Sequence, residues 1–454
     1  MTKLEEQSWS ARNTAGAETV FPPAARAWTV IAILWLVTLF SQLDRQLPAL
    51  LVRPLKAEFG LSDTQFSLLQ GYAFAIFYTL MGLPFGRLVD RTNRRNLILL
   101  GVVIWGTMTV LAGFADSYTE LLLTRVGVGV GEAVLAPAAY SIIADYVPPA
   151  RRGRALGVYY VSLAIGSGAS LFLGGMILAA LPPLGLDIGS FGLLSPWRLT
   201  FIVAGLPGAL LVLLLLAIRE PARQETRGVA NASVVDLVRY LSANRSTFLR
   251  LLTYPALIAA IGYGTLAWAP ALFERQYGMP VAQVGLTLGA LVALGGLVGT
   301  LISGFLSDRW VAAGKPAARF RVTLVAWAVI VPTASLWPLM PSATLSFVLL
   351  TITITGFAIG QAAAPPSVQD VFPNAMRGQA IALYLLLGGL VGIGLGPMLV
   401  ALVTDLFFGD DSKLGASLAL TSIPLTLLGL WMSLSGQKPY QQTLDALREG
   451  RSAA

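Results

Sequence analysis

Long apolar runs, each bounded by charges, Pro or Gly, recur along the chain from Trp28 almost to its C-terminus. About 20 apolar residues in a helix are enough to cross the hydrocarbon core of a bilayer. Twelve runs of this kind occur, at residues 28–51, 65–86, 96–115, 119–144, 154–180, 197–218, 251–273, 281–306, 320–340, 344–364, 377–402 and 414–434. The pattern therefore predicts an all-α membrane protein with twelve transmembrane helices.

The chain also contains an internal repeat, in which a motif recurs at residue numbers higher by 225. The first copy recurs in the second as follows: Asp145, Pro148, Arg152, Gly153, Ala155 and Tyr159 match Asp370, Pro373, Arg377, Gly378, Ala380 and Tyr384. A second echo has nearly the same offset: Gly86, Leu88, Asp90 and Arg91 match Gly304, Leu306, Asp308 and Arg309. Parallel repeats of apolar helices are typical of transporters that bind substrate between two halves. Two six-helix bundles are predicted.

The apolar runs and the repeat divide the chain into five parts. These are an N-terminal cytoplasmic tail at 1–27, a six-helix bundle at 28–218, a cytoplasmic linker at 219–250, a second six-helix bundle at 251–435 and a C-terminal cytoplasmic tail at 436–454. Within the linker, Val234 to Tyr240 is predicted to form a short surface helix. The polar N-terminal tail lacks the apolar stretch of a cleavable signal peptide, so the first helix is expected to stay as an anchor.

Composition and charge agree with a membrane protein. Hydrophobic residues make up 56% of the chain and charged residues 12%, against roughly a quarter charged in soluble proteins. The formal net charge is +8, but Lys and Arg concentrate in the segments that are inside if the N-terminus is cytoplasmic. This is the positive-inside rule, which Asp and Glu do not follow. Both termini are therefore expected inside, and nucleic acid is not expected as a partner.

The chain contains neither Cys nor His. The first absence excludes disulfides, thiolate catalysis and cysteine-ligated metals. No nucleotide-binding loop or metal cluster is found either, so no cofactor, no metal and no enzymatic activity are expected. Without His, a proton carried near neutral pH must reside on a carboxylate whose neutral form is favoured by burial.

Four ionisable residues fall well inside the predicted helices, Asp44 and Arg45 in the first, Arg125 and Glu132 in the fourth. Charges at this depth are costly and indicate function by default. Matching depths predict an ion pair between Asp44 and Arg125, whereas Arg45, about 100° around the helix, is expected to face another partner. The offset of 225 maps Arg125 onto Leu350 and Glu132 onto Phe357. One half of the repeat thus folds without these charges, which favours function over architecture.

These positions suggest roles in transport. Glu132 is the candidate proton carrier, because burial favours the neutral form of a carboxyl group, and Asp44 is the competing candidate. Arg45 and Arg125 are the candidates to hold an anionic headgroup, since a guanidinium group matches carboxylate and phosphate. The second half is expected to supply a mostly apolar wall whose polar or aromatic substrate contacts include Tyr263, Trp268, Gln361 and Tyr384.

A set of charged and small residues at predicted inside loops forms a candidate gate. Gly86 would permit close helix contact, and Asp90 could accept hydrogen bonds from free N–H groups at a neighbouring helix start. Such a contact would hold in one conformation and be released in another. The candidate gating residues are Gly86, Asp90, Arg91, Arg95, Asp145, Arg152, Asp308, Arg309, Asp370 and Arg377.

Several of these segments resemble a known family. GRLVDRTNRR at 86–95 looks like the signature loop of the major facilitator superfamily, and the DYVPPARRGRALGVY segment resembles its connection between the fourth and fifth helices. Further matches are similar to the spinster-type lipid transporters: the Asp44-Arg45 pair, RVGVGVGEA at 125–133, Pro137, IIAD at 142–145, Trp197-Arg198 and REPAR at 219–223. The resemblance covers about residues 28–435.

The resemblance implies alternating access by rocking of two bundles, with export of lysolipid or sphingolipid-like molecules as in the animal relatives. By motif match, Asp44, Arg45, Arg125 and Glu132 would be the cavity charges, with Glu132 or Asp44 linked to protons. Asp90 and Arg91 would form the inside gate. The fifth helix has several glycines but no proline where drug and proton antiporters usually carry one, which disfavours a classical multidrug antiporter.

The sequence thus favours a secondary active transporter that moves an amphipathic or anionic organic molecule, preferably lipid-like, with proton coupling. Two alternatives stay open, an uncoupled lipid uniporter or flippase of the same fold and a membrane receptor that binds without turnover. The expected partners are the substrate, protons and membrane lipids. A monomer in a bacterial inner membrane is expected.

Overall fold

The computed structural model describes residues 21–189, 192–223 and 233–449. Twelve long helices dominate these residues. In chain order they are α1 (Ala24–Gln46), α2 (Asp63–Ser67, Leu68–Tyr72 and Ala73–Arg91), α3 (Arg94–Ala112), α4 (Tyr118–Glu132 and Leu135–Tyr146), α5 (Pro149–Ala180), α6 (Pro196–Gly205 and Pro207–Leu216), α7 (Arg245–Tyr277), α8 (Val281–Ala312), α9 (Ala318–Leu336), α10 (Ala343–Asp370), α11 (Arg377–Leu387, Gly388–Leu395, Gly396–Leu402 and Val403–Phe408) and α12 (Leu414–Arg448).

Most of these helices are long and apolar enough to cross a membrane. Within the described ranges, ten spans meet this condition outright, and the bent helix α2 is an eleventh. In α5 the apolar part is Ile165–Ala180. Helices α1–α6 form the N-terminal half and α7–α12 the C-terminal half, as the apolar pattern predicts.

Shorter elements join these helices. A helix at Val52–Phe59 follows α1 after the turn at Leu47–Leu50, and a strand pair between α5 and α6, β1 (Leu186–Asp187) and β2 (Leu193–Leu194), is antiparallel with Leu186 opposite Leu194. Turns of 3₁₀-helix lie at Trp337–Leu339, Asn374–Met376 and Asp411–Lys413. Between α6 and α7, the linker helix at Val234–Ala243 confirms the helix predicted there, and the Tyr240 hydroxyl donates to the Val371 carbonyl oxygen at 2.8 Å.

The repeat is visible in how equivalent helices begin. Ser117 caps α4 by accepting a hydrogen bond from the backbone N–H of Glu120, and Ser342 caps α10 by accepting from Leu345. The offset of 225 relates Ser117 to Ser342 as well. A serine at this position satisfies one of the free N–H groups of the first turn, so the two halves start these helices by the same local chemistry.

Several boundaries differ from the predicted spans, for identifiable reasons. Helix α4 is interrupted at Ala133 and Val134, because Pro137 has no N–H to donate to the carbonyl four residues earlier. Glu132 therefore ends the first segment of α4. Helix α7 begins at Arg245, inside the predicted linker, and α12 continues to Arg448, through most of the predicted C-terminal tail. The polar ends of both helices pack on the bundle. The predicted spans omit them because those spans were defined by apolar residues alone.

The two halves meet mainly along α5 against α8 and α2 against α11. Glycines make the first contact possible. A Cβ atom added to Gly175 would lie 2.7 Å from the backbone nitrogen of Leu286, and one added to Gly285 would lie 2.9 Å from the Cα of Gly175. Small residues permit this close approach of helix backbones. These glycines therefore permit the close contact between the two halves.

Candidate functional site

We call the end of the bundle that contains Asp63 and Arg275 the outer end, and the opposite end the inner end, following the sidedness that the basic residues predict. Asp63 begins α2, and its side chain is fully buried. It accepts hydrogen bonds from Arg275 of the C-terminal half, Nη1 to Oδ2 at 3.0 Å and Nη2 to Oδ1 at 2.9 Å. Lys56 of its own half also bonds Asp63, and reaches Asp411 of the other half at 2.6 Å.

Further contacts cross between the halves at this end. Arg53 pairs with Glu274 at 3.2 Å. The Ser67 hydroxyl of α2 donates across the halves to the carbonyl oxygen of Pro397 in α11 at 3.1 Å, and the Trp268 indole, from the same half as Pro397, donates to that oxygen at 3.0 Å. At the inner end, within the described residues, no side-chain hydrogen bond or ion pair that the structure defines joins the two six-helix halves. The structure is therefore a conformation closed at the outer end.

A small cavity lies between the halves beneath this closure. Its volume is about 20 Å³, roughly the space of one water molecule. Both halves line it: Arg45, Gln46, Gln70, Gly71 and Phe74 from one, Tyr263, Ala267, Ile393 and Pro397 from the other. Arg45 is the one ionisable cation in this lining. A pocket that combines one guanidinium group and two Gln side chains with apolar and aromatic surface suits an amphipathic anion.

Arg45 is held by a carboxylate and two aromatic rings. Its Nε donates to Oε2 of Glu132 at 2.5 Å, with side-chain exposures of 16% for Arg45 and 0% for Glu132. The guanidinium carbon lies 5.0 Å from the ring centre of Phe74 and 4.5 Å from that of Tyr78, and these two rings stack at 5.3 Å. Glu132 thus anchors one edge of Arg45 from inside the N-terminal half, while the other edge faces the cavity.

The predicted ion pair between Asp44 and Arg125 is not formed. Both side chains are buried and attract each other electrostatically, but no salt bridge joins them. All three guanidinium nitrogens of Arg125, Oδ1 of Asp44 and Oε1 of Glu132 lack a hydrogen-bond partner in the described part of the chain. The predicted depth of these residues in the bundle is correct, but the predicted direction of their side chains around α1 is not. Adjacent residues of a helix point about 100° apart, and it is Arg45, not Asp44, that reaches across to α4. The N-terminal half thus holds a buried cluster of two carboxylates and two guanidinium groups.

The predicted contacts of the C-terminal half separate into three places. Tyr263 lines the cavity, opposite Arg45. Trp268 is fully buried in the outer closure. Gln361 of α10 accepts a hydrogen bond from the Tyr384 hydroxyl of α11 at 3.1 Å, so these two residues form a pair of their own. Leu350 and Phe357, the repeat counterparts of Arg125 and Glu132, are buried as apolar residues. The structure thus places the charge asymmetry between the halves as the sequence predicts.

At the inner end, five of the ten residues of the GRLVDRTNRR segment are exposed. Asp90 and Arg91 are exposed, and an added Cβ at Gly86 would meet nothing within 4 Å. The close helix contact predicted for Gly86 is therefore not made in this conformation. Arg95 is half-buried, and its backbone N–H donates to Glu220 at 3.0 Å. In the second copy, Asp308 and Arg309 are exposed as well.

The key cation of this segment is Arg94, which is not among the predicted gating residues. It is fully buried and bonds Asp145, Glu220 Oε1 at 2.6 Å, the Ser141 hydroxyl at 2.8 Å and the carbonyl oxygen of Pro221 at 3.0 Å. Five donors in a fixed fork allow one arginine to join α3, α4 and the end of α6.

The C-terminal half repeats this arrangement. Arg319 pairs with Asp370 as Arg94 pairs with Asp145, and the offset of 225 relates the two arginines. The same offset relates Arg152, which donates to the Ala144 carbonyl oxygen at 2.9 Å, to Arg377, which donates to that of Gln369 at 3.1 Å. These contacts lie within one half each, so they brace the inner ends of the bundles.

Three carboxylates at the outer end lie close enough together to form a possible cation site. Carboxylate oxygens of Asp63, Asp405 and Asp411 lie within 4.8 Å of one another. However, Lys56 and Arg275 already bind Asp63 and Asp411, and the backbone N–H of Thr64 donates to Asp405, so the chain itself occupies oxygens of all three carboxylates. The geometry therefore favours a network of ion pairs within the chain over metal binding.

The chain can now be compared with known proteins. Residues 34–397 match the family model of the Major Facilitator Superfamily. An MFS-type efflux pump of Mycolicibacterium smegmatis is 30% identical over 89% of this chain and 91% of its own length. Protein spinster of Drosophila melanogaster is 27% identical over 62% of this chain and 46% of its own length.

A solved structure gives the same assignment. The crystal structure of a bacterial homologue of the human lysosomal transporter spinster, inward-facing and unoccupied, superposes with a TM-score of 0.79 at 27% identity, over 94% of this chain and 99% of that one. Its inward-facing state agrees with the closed outer end found above. The chain therefore belongs to the Major Facilitator Superfamily, as a multi-pass membrane transporter of the spinster type.

Proposed function

We propose that this protein moves an amphipathic organic anion, preferably lipid-like, by alternating access, and that Glu132 couples this movement to protons. One observation carries the proposal: Arg45 stands between Glu132 and a cavity that both halves line. A group in this position touches the substrate on one side and a titratable carboxylate on the other.

The lining of the cavity supports the substrate class. Arg45 supplies a positive charge, and Phe74, Ala267, Ile393 and Pro397 supply apolar surface from both halves. A guanidinium group binds carboxylate or phosphate well, and the apolar surface favours a hydrocarbon part. In the closed state the space is too small for a lipid, so the substrate enters when the halves separate.

Proton coupling follows from competition for Arg45. When Glu132 is ionised, its carboxylate neutralises Arg45. When Glu132 is protonated, that neutralisation is lost, and Arg45 needs another anion. Binding of the proton and of an anionic headgroup are therefore linked, each favouring the other. Arg125 and Asp44 add a second buried pair of opposite charges whose contact can form in another conformation.

The relatives and the charge distribution support the remaining parts of the proposal. A transport function is supported by the relative that aligns over nearly its whole length, which is named an efflux pump. A bacterial inner membrane with both termini cytoplasmic is proposed from the distribution of Lys and Arg. The protein would act there as a monomer, with Asp90 and Arg91 contributing to an inner gate when the outer end opens.

Replacing Glu132 with Gln is expected to abolish the pH dependence of transport. The neutral amide would resemble the protonated carboxyl group, so binding of an anionic substrate should become as tight at pH 8 as it is for the parent at low pH. Labelled lysolipid flux into proteoliposomes, with and without an imposed pH gradient, measures this. Glu274→Gln is the matched control, because Glu274 pairs with an arginine at the outer end, away from the cavity.

The outcomes separate the proposed mechanism from its alternatives. Flux of the parent that ignores the pH gradient would indicate an uncoupled uniporter or flippase. Gradient-driven flux that persists in Glu132→Gln would mean that another group carries the proton, with Asp44 as the next candidate. Saturable lysolipid binding without flux would indicate a receptor.

A further inference from the structure

A second cleft, unrelated to the cavity between the halves, lies at the inner end of the C-terminal half. Its volume is about 370 Å³, and it opens between the start of α9 and the polar part of α12. Arg321 from α9 and Lys438, Gln437 and Gln441 from α12 line it. A cleft of this size is within the range of small-molecule sites.

The walls of this cleft are firmly built. Phe320 of α9 stacks on Tyr440 of α12 at 5.0 Å, and the Trp327 indole donates to the Ser433 hydroxyl at 2.9 Å. Ala317, just before α9, adopts a left-handed backbone conformation with φ of 48° and donates its N–H to Oε1 of Gln441 at 2.5 Å. A non-glycine residue in this conformation is held there by its surroundings. The cleft is therefore a fixed feature of the packing between α9 and α12.

The charge in the cleft is positive and unbalanced. Within the described residues, the side chains of Arg321 and Lys438 line the cleft and form no hydrogen bond or ion pair. Neither nearby carboxylate pairs with these cations, since Asp445 accepts from the Gln441 amide at 2.7 Å and Asp370 pairs with Arg319. Two free cations beside the N-terminus of a long helix favour an anion.

An apolar stripe leads from the bilayer to these cations. Five exposed residues lie three or four positions apart on one face of α12: Leu420, Ile423, Leu427, Trp431 and Leu434, with exposures of 41%, 45%, 53%, 55% and 55%. The next position on this face is Lys438. Residues at this spacing share one side of a helix. The stripe therefore ends at the depth where a charged lipid headgroup meets the inner surface of the membrane.

We propose that this cleft, between Arg321 and Lys438, binds the phosphate of an anionic phospholipid of the inner leaflet, whose acyl chain lies along the stripe on α12. The cations alone would accept any phosphate. The stripe selects the lipid, because a soluble phosphate has no apolar part to place on it. The site is distinct from the substrate path, since it is formed by the C-terminal half alone.

The double variant Arg321→Gln/Lys438→Gln tests this proposal. Native mass spectrometry of the full chain in detergent would count bound phosphatidylglycerol over a titration, against phosphatidylcholine. Each basic residue near an anionic surface contributes about 1 kcal/mol, so the strongest phosphatidylglycerol site should weaken roughly thirtyfold. The charge-preserving variant Arg321→Lys/Lys438→Arg should retain it, as should the control Arg151→Gln/Arg239→Gln, which removes two exposed arginines elsewhere at the inner end.

Three results would overturn the proposal. Equal binding of phosphatidylglycerol by the parent and the double variant would show that the lipid binds elsewhere. Equal loss in the Arg151 and Arg239 control would show that net charge alone attracts the lipid. Inorganic phosphate that displaces phosphatidylglycerol from the parent at equal concentration would identify a soluble anion as the ligand.

Discussion

Replacing Arg45 with Ala is expected to abolish transport of an anionic substrate while the protein still inserts and folds. Arg45 is the ionisable cation of the cavity lining, so its loss removes the group that we propose binds the charge of the substrate. Removing one member of a buried charge pair costs about 2–5 kcal/mol, which is at least about thirtyfold in affinity. Initial rates of labelled lysolipid flux in proteoliposomes measure the effect.

The Arg45→Ala variant also leaves Glu132 without its cation, which can destabilise the bundle. The double variant Arg45→Ala/Glu132→Gln separates these effects, because it removes the unpaired carboxylate as well. It should regain the thermal stability of the parent but not its transport. Arg45→Lys retains the charge but not the fork that contacts Glu132 and the rings, so partial transport is expected.

Arg198 offers a matched control for this prediction. Its guanidinium group pairs with Glu58 at 2.7 Å and stacks on Trp197 at 4.7 Å, much as Arg45 pairs with Glu132 and lies on two rings. It lies at the outer end of the N-terminal half, outside the cavity lining. Arg198→Ala should retain most of the transport. Parent-like flux in Arg45→Ala, or equal losses in both variants, would contradict the assignment of Arg45 to the substrate.

The fold could be predicted from the sequence because membrane helices are strongly constrained. A lipid-exposed backbone must satisfy its hydrogen bonds internally, so a long apolar run has little choice but a helix. The interruption of α4 after Glu132 was harder to predict from the sequence. Pro137 indicates a defect, but a proline in a membrane helix can produce a kink, a turn or no interruption, and neighbouring helices decide which.

The site was predicted in part. Apolar surroundings in the sequence identify Asp44, Arg45, Arg125 and Glu132 as candidate residues, since a charged side chain at this depth in the membrane costs free energy. The pairing of Arg45 with Glu132 was not predicted, because depth along a helix can be read from the sequence but rotation about its axis depends on packing. A guanidinium group on a long, flexible stem also reaches partners that a short carboxylate such as Asp44 cannot.

Arg94 shows a signal that the sequence contained and that could have been used. The offset of 225 that relates Asp145 to Asp370 also relates Arg94 to Arg319. Arg94 forms an ion pair with Asp145, and Arg319 forms one with Asp370. Matching the repeat by strict offset, instead of by similarity to the GRLVDRTNRR segment, would have selected Arg94 in place of Arg95. No comparable signal marks Asp63, whose partners come from both halves.

The outer closure depends on Asp63, and Asp63→Asn is expected to shift the protein strongly toward a conformation open at the outer end. The carboxylate is fully buried and binds Arg275 from the other half, so its neutralisation leaves that arginine with weaker contacts to Asp411, an ion pair at 3.6 Å and a hydrogen bond to its carbonyl oxygen at 3.3 Å. Breaking a buried pair in this way costs about 3–5 kcal/mol, more than a hundredfold in a two-state equilibrium.

The absence of cysteine from the chain makes this shift directly measurable. Ala267→Cys places one thiol in the cavity lining, where it is buried under the closure. Its labelling by a membrane-impermeant maleimide added from the outer side should rise with the open population, by about a hundredfold or more in Asp63→Asn. The matched control is Arg53→Gln, which removes an ion pair that also joins the halves but has 78% exposure at Arg53.

An exposed pair contributes at most about 1 kcal/mol, so Arg53→Gln should raise labelling by less than about fivefold. The contrast between these variants tests whether burial of Asp63 is what makes the closure strong. Equal labelling of the parent and Asp63→Asn would mean that the apolar and backbone contacts around Pro397 hold the outer end closed by themselves. A large rise in Arg53→Gln would mean that surface charge, and not the buried pair, sets the balance between the two conformations.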